Sequence, residues 1–237
     1  MRIDGKGNAI KNWEAHSDSL VKNRDFLNEH HFKKLKVTTG LGTDVEIGLP
    51  KKHLWVTSPK NISSEGLPFA ANMPTEEIFC IPEKTSVNGT IVASRPMICK
   101  SGIVRDAHYE LKDGEIVKFS ASKGEDVLRN VMDNNKNGHY VGEIAIVPYD
   151  TSISKSGLTF YNNMFDENAG CHIAVGNAYS KCLVGGLNMT REELEAEGIN
   201  VCAFHDDCVF GTPDTKIIGV TETGEEILFF EDGAWVY

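Results

Sequence analysis

The chain has 237 residues, of which 41% are hydrophobic and 24% charged, with a formal net charge of −10 and a sequence pI of about 5.3. This size and composition indicate a soluble globular protein with a substantial core, organised as one large domain or two small ones. An acidic surface disfavours nucleic acid or an anionic membrane as the main partner.

The N-terminal half begins with a helix and continues with strands. Residues 9–32 are predicted to be helical, because Trp13, Leu20 and Leu27 recur at heptad spacing. Further along, strands are favoured for LKVTT, DVEIGLP, HLWVT, EEIFCIP, GTIVAS and the two halves of AHYELKDGEIVKFSA. The last segment is the clearest hairpin, because Asp113-Gly114 suits a tight turn that needs positive φ angles.

The C-terminal half mixes helices with further strands. KGEDVLRNVMDNN and DENAGCHIAVGNAYSKCL are predicted to be helices, and GEIAIVP is predicted to be a strand that stops at Pro148. TREELEAEG begins with Thr190 and carries Glu193 three residues later, a capping box that starts a helix ended by Gly198. Short strands close the chain in KIIGVTETGEEILFFEDGAWVY. Because helices and strands do not alternate regularly, we expect an α+β fold with mixed, strand-rich sheets and a few packed helices.

Three polar residues, His205, Asp206 and Asp207, interrupt the apolar segment VCAFHDDCVF. The apolar residues on both sides predict a buried strand, in which His205 and Asp207 share one face while Asp206 points to the other. A buried carboxylate without a partner is strongly destabilising. The pair on the shared face therefore forms either an ion pair or two ligands of one cation.

Acids also occur in two other apolar strands. Glu143 lies in GEIAIVP, where it must be neutral, paired or bound to a cation, unless it meets water at the mouth of the strand. Glu76 and Glu77 lead into the strand of NMPTEEIFCIP, and alternation allows only one of them to face inward. The pattern does not distinguish these two, and solvation of both at the strand start is the alternative.

A histidine and a tyrosine, His172 and Tyr179, lie seven residues apart in the predicted helix of DENAGCHIAVGNAY. That spacing places them on one helical face, two turns apart, with small residues between them that permit close approach. His172 is either a hydrogen-bonded core residue or a ligand. Asp166 and Glu167 precede it near the expected helix N-terminus, where capping and the helix dipole offer a structural role.

Considered together, these residues favour a metal site over several separate structural roles. Two or three of them would serve one open zinc site. A set with three carboxylates suits two divalent ions bridged by a carboxylate and a water, because the charges of three carboxylates and one hydroxide balance those of the two ions. The nitrogen and oxygen ligands available on apolar scaffolding are one of Glu76 and Glu77, with Glu143, His172, His205 and Asp207.

The six cysteines form no C-x-x-C pair, and most of them lie in apolar segments. We therefore expect free thiols in a reducing cytoplasm, and no cysteine among the metal ligands. No apolar run approaches the roughly 20 residues needed to span a bilayer. The N-terminal stretch MRIDGKGNAIKNWEAH lacks the apolar centre of a signal peptide. These observations predict a cytoplasmic protein without a membrane partner.

Four segments in register resemble the aminopeptidase T family of metallo-aminopeptidases, which includes aminopeptidase S and PepS. They are NMPTEEIF, GEIAIVP, FYNNMFDENAGCHIAVGNAY and FHDDCVFG, and the likeness extends over nearly the whole chain through NWEAH, FLNEHHFKKLK and GTDVEIGLPKKHLWV. Members of this family are much longer, with an N-terminal α/β domain before this region. The resemblance implies that residues 1–237 form a single catalytic metal-binding domain equivalent to the family's C-terminal half.

The resemblance also implies a set of site residues. In the family the matching positions bind two metal ions, one acid bridges them, and a tyrosine lines the site. The bridging acid corresponds to Glu143 and the tyrosine to Tyr179, and position in the motif selects Glu77 over Glu76. Asp206 is expected to be structural. The implied ligands are Glu77, Glu143, His172, His205 and Asp207.

The implied function is the hydrolysis of N-terminal residues from peptides with a free N-terminus, using two divalent ions (zinc, cobalt or manganese) and a bridging water. Tyr179 is expected to donate a hydrogen bond to the tetrahedral oxyanion, and Glu167 to shuttle the proton. The resemblance further implies a homodimer. Two alternatives stay open, namely another metallohydrolase such as an amidase, and a non-catalytic metal-binding or dimerisation fragment.

Overall fold

A computed structural model of the chain describes residue 2 and residues 6–59 and 61–237. Met1 and residues 3–5, which belong to the N-terminal stretch inspected for a targeting signal, lie outside the described residues. In the described part of the chain, no helix is both long enough and apolar enough to cross a membrane. The helices are α1 (Ala9–His30), α2 (Glu125–Asp133), α3 (Ser152–Ser156), α4 (Asn163–Asp166) and α5 (Arg191–Ala196), with 3-10 turns at Glu167–Ala169, Ser180–Cys182 and Gly186–Asn188.

Short strands account for most of the remaining regular structure. The strands are β1 (Lys34–Thr38), β2 (Asp44–Gly48), β3 (Asn61–Ile62), β4 (Pro68–Phe69), β5 (Ile78–Cys80), β6 (Val87–Val92), β7 (Met97–Cys99), β8 (Gly102–Val104), β9 (His108–Lys112), β10 (Glu115–Ser120), β11 (Val141–Ile146), β12 (His172–Gly176), β13 (His205–Val209), β14 (Lys216–Val220), β15 (Glu226–Glu231) and β16 (Ala234–Trp235).

The strands form two large sheets and two small ribbons. The eight-stranded sheet has the order β10-β9-β6-β2-β1-β14-β15-β16, and the four-stranded sheet has the order β13-β12-β11-β5. The ribbons pair β3 with β4 and β7 with β8. Each pairing among the described strands is antiparallel. The predicted α+β class, with strand-rich sheets and a few packed helices, is confirmed.

The predicted hairpin between β9 and β10 turns at Asp113 and Gly114. Both residues have positive φ angles, 49° and 84° respectively, as a tight hairpin turn requires. A Cβ atom at Gly114 would lie 1.8 Å from the carbonyl oxygen of Lys84. Glycine is therefore required here both for the backbone angle and for the close approach of the loop before β6.

Helix α1 forms where the heptad spacing predicts it and contacts both large sheets, through β5 and through Phe229 of β15. Leu20 and Leu27 are buried, and each contributes about 1.5–3 kcal/mol if fully removed from water. The ring of Phe26 stacks on Tyr237 at 3.6 Å and lies 6.0 Å from Phe229 of β15. One continuous cluster of buried apolar side chains includes residues of both large sheets. The four-stranded sheet therefore packs on the same hydrophobic core as the eight-stranded sheet.

The helix predicted over DENAGCHIAVGNAYSKCL is wrong. The segment contains the end of α4, two 3-10 turns and the strand β12, and every residue of β12 is buried. A strand buried on both faces gives a continuous apolar run that periodicity cannot separate from a buried helix. Asp166 does not cap a following helix, because its carboxylate accepts the backbone N–H groups of Phe160 and Asn162, at 2.8 and 3.1 Å, and closes the preceding turn.

Two predicted strand segments are also absent from the described ladders. In HLWVT only isolated bridges form, between His53 and Leu183 and between Val56 and Phe79. Residues 201–204 are irregular, and β13 begins only at His205. Trp55, Val201 and Cys202 are buried by packing rather than by strand pairing, and an apolar run alone does not reveal which of the two applies. Ala203 is exposed and Phe204 only partly buried, so the buried strand predicted there is wrong for these two residues.

Candidate metal centre

The register of the four-stranded sheet collects polar side chains on one face. Glu143 of β11 lies opposite Ala174 of β12, and Ala174 lies opposite Asp207 of β13. His205 pairs with Gly176 on the same face, because directly opposed residues project to the same side of a sheet. Between Glu143 and Asp207 the central strand carries only the methyl group of Ala174.

The first cluster on this face consists of Glu77, Glu143 and His172, all of which are buried. His172 Nε2 lies 3.5 Å from Glu77 Oε2 and 3.6 Å from Glu143 Oε1. The other ring nitrogen, Nδ1, donates to the carbonyl oxygen of Gly170 at 3.2 Å. With Nδ1 as the donor, Nε2 of the neutral ring carries the lone pair that a metal ion requires.

The second cluster consists of Glu143, His205 and Asp207. His205 Nε2 lies 3.2 Å from Asp207 Oδ1, while His205 Nδ1 donates to the carbonyl oxygen of Asn177 at 2.7 Å. In each cluster the ligand atoms lie within 4.8 Å of one another. Glu143 belongs to both clusters, so its carboxylate is placed where two neighbouring cations could share it.

The carboxylates around His172 and His205 stabilise the positively charged forms of both histidines. Burial opposes the charged form of His205, but the ion pair with Asp207 and the charge of Glu143 raise its pKa to about 9. Burial likewise opposes charge on His172, yet the nearby carboxylates of Glu143 and Glu77 raise its pKa well above the usual value. Burial, against the interaction with His172, raises the pKa of Glu143. A proton here compensates the same carboxylates that a metal cation would neutralise.

Two buried polar atoms at this face, His172 Nε2 and Asp207 Oδ1, form no hydrogen bond of acceptable geometry with any described residue, although oppositely charged groups lie 3.2–3.6 Å away. Such atoms are destabilising unless something else satisfies them. Imidazole nitrogens and carboxylate oxygens are ligands that zinc, cobalt and manganese accept. The orphaned atoms and the donor set therefore fit divalent metal ions, and the residues able to hold them are Glu77, Glu143, His172, His205 and Asp207.

The acids adjacent to two of these residues point elsewhere. Glu76 accepts a charge-assisted hydrogen bond from Arg2 and lies 3.5 Å from His16 Nε2, outside both clusters. Asp206 interacts with the buried thiol of Cys99 on the opposite face of β13. Strand alternation thus separates Asp206 from Asp207 as expected, and the geometry favours Glu77 over Glu76, a choice that the sequence pattern alone left open.

Tyr179 and Glu167 reach the same cavity from outside the sheet. Tyr179 follows β12 in a loop rather than on a helix, and its ring lies 4.7 Å from that of His205. Burial and the neighbouring acids raise the pKa of Tyr179 to about 12. Glu167 lies in the 3-10 turn after α4. Its pKa is raised to about 9 by burial and by the charges of Glu77 and Asp207.

An open cavity of about 430 Å³ exposes the two clusters to solvent. Its lining includes all the predicted site residues except His172, which is fully buried beneath it.

Two asparagines near the cavity were not predicted from the sequence. Asn163 donates to Asp207 Oδ2, and Asn168 accepts the backbone N–H of Glu76 at 2.6 Å. Neither carries a local signal, since asparagines before and within a turn are common.

The chain is similar to known proteins in both sequence and structure. Aminopeptidase AmpS from Bacillus subtilis (strain 168) is 39% identical over 230 residues, which are 97% of this chain and 56% of that protein. Aminopeptidase PepS from Streptococcus thermophilus is 39% identical, covering 96% of this chain and 54% of the relative. The solved structure of wild-type AmpT from Thermus thermophilus superposes with a TM-score of 0.90 at 35% identity, covering 96% of this chain and 56% of that one.

The chain therefore spans about half the length of the curated relatives it matches. The family model described as thermophilic metalloprotease (M29) matches residues 1–235. That match covers the strands and loops that carry the candidate ligands. The chain belongs to the M29 family of metalloproteases.

Proposed function

We propose that this chain is the metal-binding part of a metal-dependent aminopeptidase, which removes N-terminal residues from peptides that have a free N-terminus. The observation that carries the proposal is the convergence of two histidines and three carboxylates at one sheet face, with His172 Nε2 and Asp207 Oδ1 buried and without a hydrogen bond to any described residue. The aminopeptidase names of the relatives in the same family support the substrate class.

The proposed centre is dinuclear and would hold two ions of zinc, cobalt or manganese. Glu77 and His172 would serve one ion, His205 and Asp207 the other, and Glu143 both, because it belongs to both clusters. When bound, such ions polarise the scissile carbonyl and lower the pKa of a bridging water.

Two further residues would assist the reaction. The hydroxyl of Tyr179 is protonated at neutral pH because its pKa is raised to about 12, so it would donate a hydrogen bond to the developing oxyanion. Glu167 lines the cavity but belongs to neither ligand cluster. It is therefore the acid of this cavity that remains to carry a proton to the leaving amine.

Release of a chromophore from leucine and arginine arylamides would test this function. The chain should release it when zinc, cobalt or manganese is added and should lose activity with a chelator, whereas N-acetylated arylamides should resist. Cleavage of simple amides but not of aminoacyl substrates would favour the amidase alternative. Metal binding without any turnover would favour the non-catalytic fragment, which the half-length match to the relatives makes a specific alternative.

The proposed setting is cytoplasmic, and the proposed assembly is a homodimer. All six cysteines are free and buried in this structure, which supports a reducing compartment. The homodimer rests on the resemblance to the family alone. Light scattering on the purified chain would test it, and a mass of one protomer would contradict it.

A further inference from the structure

An exposed lysine, Lys181, stands at the edge of the cavity that contains the ligand clusters. Its Nζ lies 4.6 Å from the ring centroid of Phe79 and 5.4 Å from that of Tyr179. These two rings meet edge to face at 6.2 Å. The aromatic pair thus favours a position of the ammonium group beside Tyr179.

The charge of Lys181 has no ion-pair partner among the described residues, although four carboxylates line the same cavity, those of Glu77, Glu143, Glu167 and Asp207. Elsewhere in the chain, surface lysines commonly pair with an acid, as Lys52 does with Glu197 at 2.7 Å. The ammonium group of Lys181 therefore retains donors that can bind an anion entering the cavity.

We propose that Lys181 recognises a carboxylate on the residue that follows the scissile bond. This inference rests on the proposed function, and it narrows the substrate class to peptides with an anionic group at that place. Two sources share this chemistry, the C-terminal carboxylate of a dipeptide and the side chain of an acidic second residue.

The spacing supports this assignment. One extended residue spans about 3.3–3.6 Å, and Lys181 Nζ lies 5.4 Å from the ring centroid of Tyr179, about 2 Å more than that span. Because Tyr179 is proposed to face the scissile carbonyl, a carboxylate one residue farther along the substrate lies within reach of the long lysine side chain.

Binding of non-hydrolysable ligands tests the assignment independently of turnover. The probes are three analogues in which a methylene group replaces the scissile carbonyl: Leu-Gly with a free carboxylate, its C-terminal amide, and Leu-Asp amide. Calorimetry would measure their affinity for the zinc-loaded chain and for Lys181→Met and Lys181→Arg. The matched control is Lys84→Met, since Lys84 Nζ also lies over an aromatic ring, 4.5 Å from that of Tyr140, but outside the cavity lining.

At least one carboxylate analogue should bind the parent about tenfold more tightly than Leu-Gly amide, the effect of one charge-assisted hydrogen bond. Lys181→Met should lose this difference, whereas Lys181→Arg and Lys84→Met should retain it. The stronger of the two carboxylate analogues identifies the source. Equal affinities in the parent, or a preference that survives in Lys181→Met, would overturn the assignment while the amide still reports on the peptide site. Failure of all three ligands to bind would contradict the proposed function and the assignment together.

Discussion

Zinc should stabilise the chain through Asp207 and not through its neighbour Asp206. Asp207 Oδ1 is buried on the face that carries the ligand clusters, 3.2 Å from His205 Nε2, whereas Asp206 interacts with Cys99 on the other face of β13. Asp207→Asn and Asp206→Asn each remove one negative charge at adjacent positions. They differ in the face of the strand from which that charge is removed.

The expected shift in Tm follows from the thermodynamic linkage between zinc binding and folding. Zinc at about one hundred times its dissociation constant stabilises the folded state by about 2.7 kcal/mol, which raises the Tm of a chain of this size by about 5–10 °C. A unit charge about 4 Å from a ligand is worth about 4 kcal/mol at an effective dielectric constant near 20, so a loss of about 100-fold in affinity for Asp207→Asn is a conservative value. The residual stabilisation of about 0.4 kcal/mol then shifts the Tm by only about 1 °C.

Melting curves with chelator and with zinc would measure these shifts in the parent and in both variants. The parent and Asp206→Asn should show the full zinc-dependent shift, and Asp207→Asn should show almost none. The chelated samples serve as the reference, because any loss of stability without metal is subtracted from each shift. An equal loss of the zinc-dependent shift in both variants would refute the assignment of the two side chains to opposite faces.

Three further predictions address Glu143, Tyr179 and His53. Glu143→Ala should reduce bound metal from about two ions to one or none, because both clusters share this carboxylate; metal analysis that still finds two ions would refute the sharing. Tyr179→Phe should lower kcat by roughly 100- to 1000-fold as one oxyanion donor is lost, with unchanged metal content and Tm, whereas unchanged kcat in steady-state assays would indicate a packing role. Burial lowers the pKa of His53 from 6.5 to about 4, so the unfolded state binds more protons between these values and stability falls on acidification, by up to about 3 kcal/mol. Urea unfolding of His53→Gln at pH 7 and pH 4.5 should lack this part of the acid dependence, and an unchanged pH slope would contradict the argument.

The sequence predicted local structure correctly where the neighbouring residues along the chain determine the backbone conformation. The turn at Asp113-Gly114 depends on positive φ angles, and the structure forms it as predicted. The capping box of α5 is present, with Thr190 accepting the N–H of Glu193 and the Glu193 carboxylate accepting that of Thr190. Alternation along β13 separated Asp207 from Asp206, because a period of two is a property of the extended backbone itself.

The prediction of a helix through His172 and Tyr179 shows the limit of such local prediction. β12 is buried on both faces, so its sequence contains no alternation that would indicate a strand. The spacing of His172 and Tyr179 was interpreted as two helical turns, and Tyr179 nevertheless lies at the site, because the loop after Gly176 returns its ring to His205. The structure thus brings both residues to the candidate site, although the helix predicted for them is wrong.

The sequence by itself determined which residue types are available to bind metal, and the family resemblance identified their positions. The sequence also determined the α+β class, since strand and helix signals recur along it without regular alternation. Only the tertiary structure decided that Glu143, Ala174 and Asp207 form one row across three strands, that Glu77 rather than Glu76 faces it, and that Lys181 stands unpaired at its edge. The physical reason is that strand register and loop packing depend on contacts between residues far apart in the chain, which no local pattern specifies.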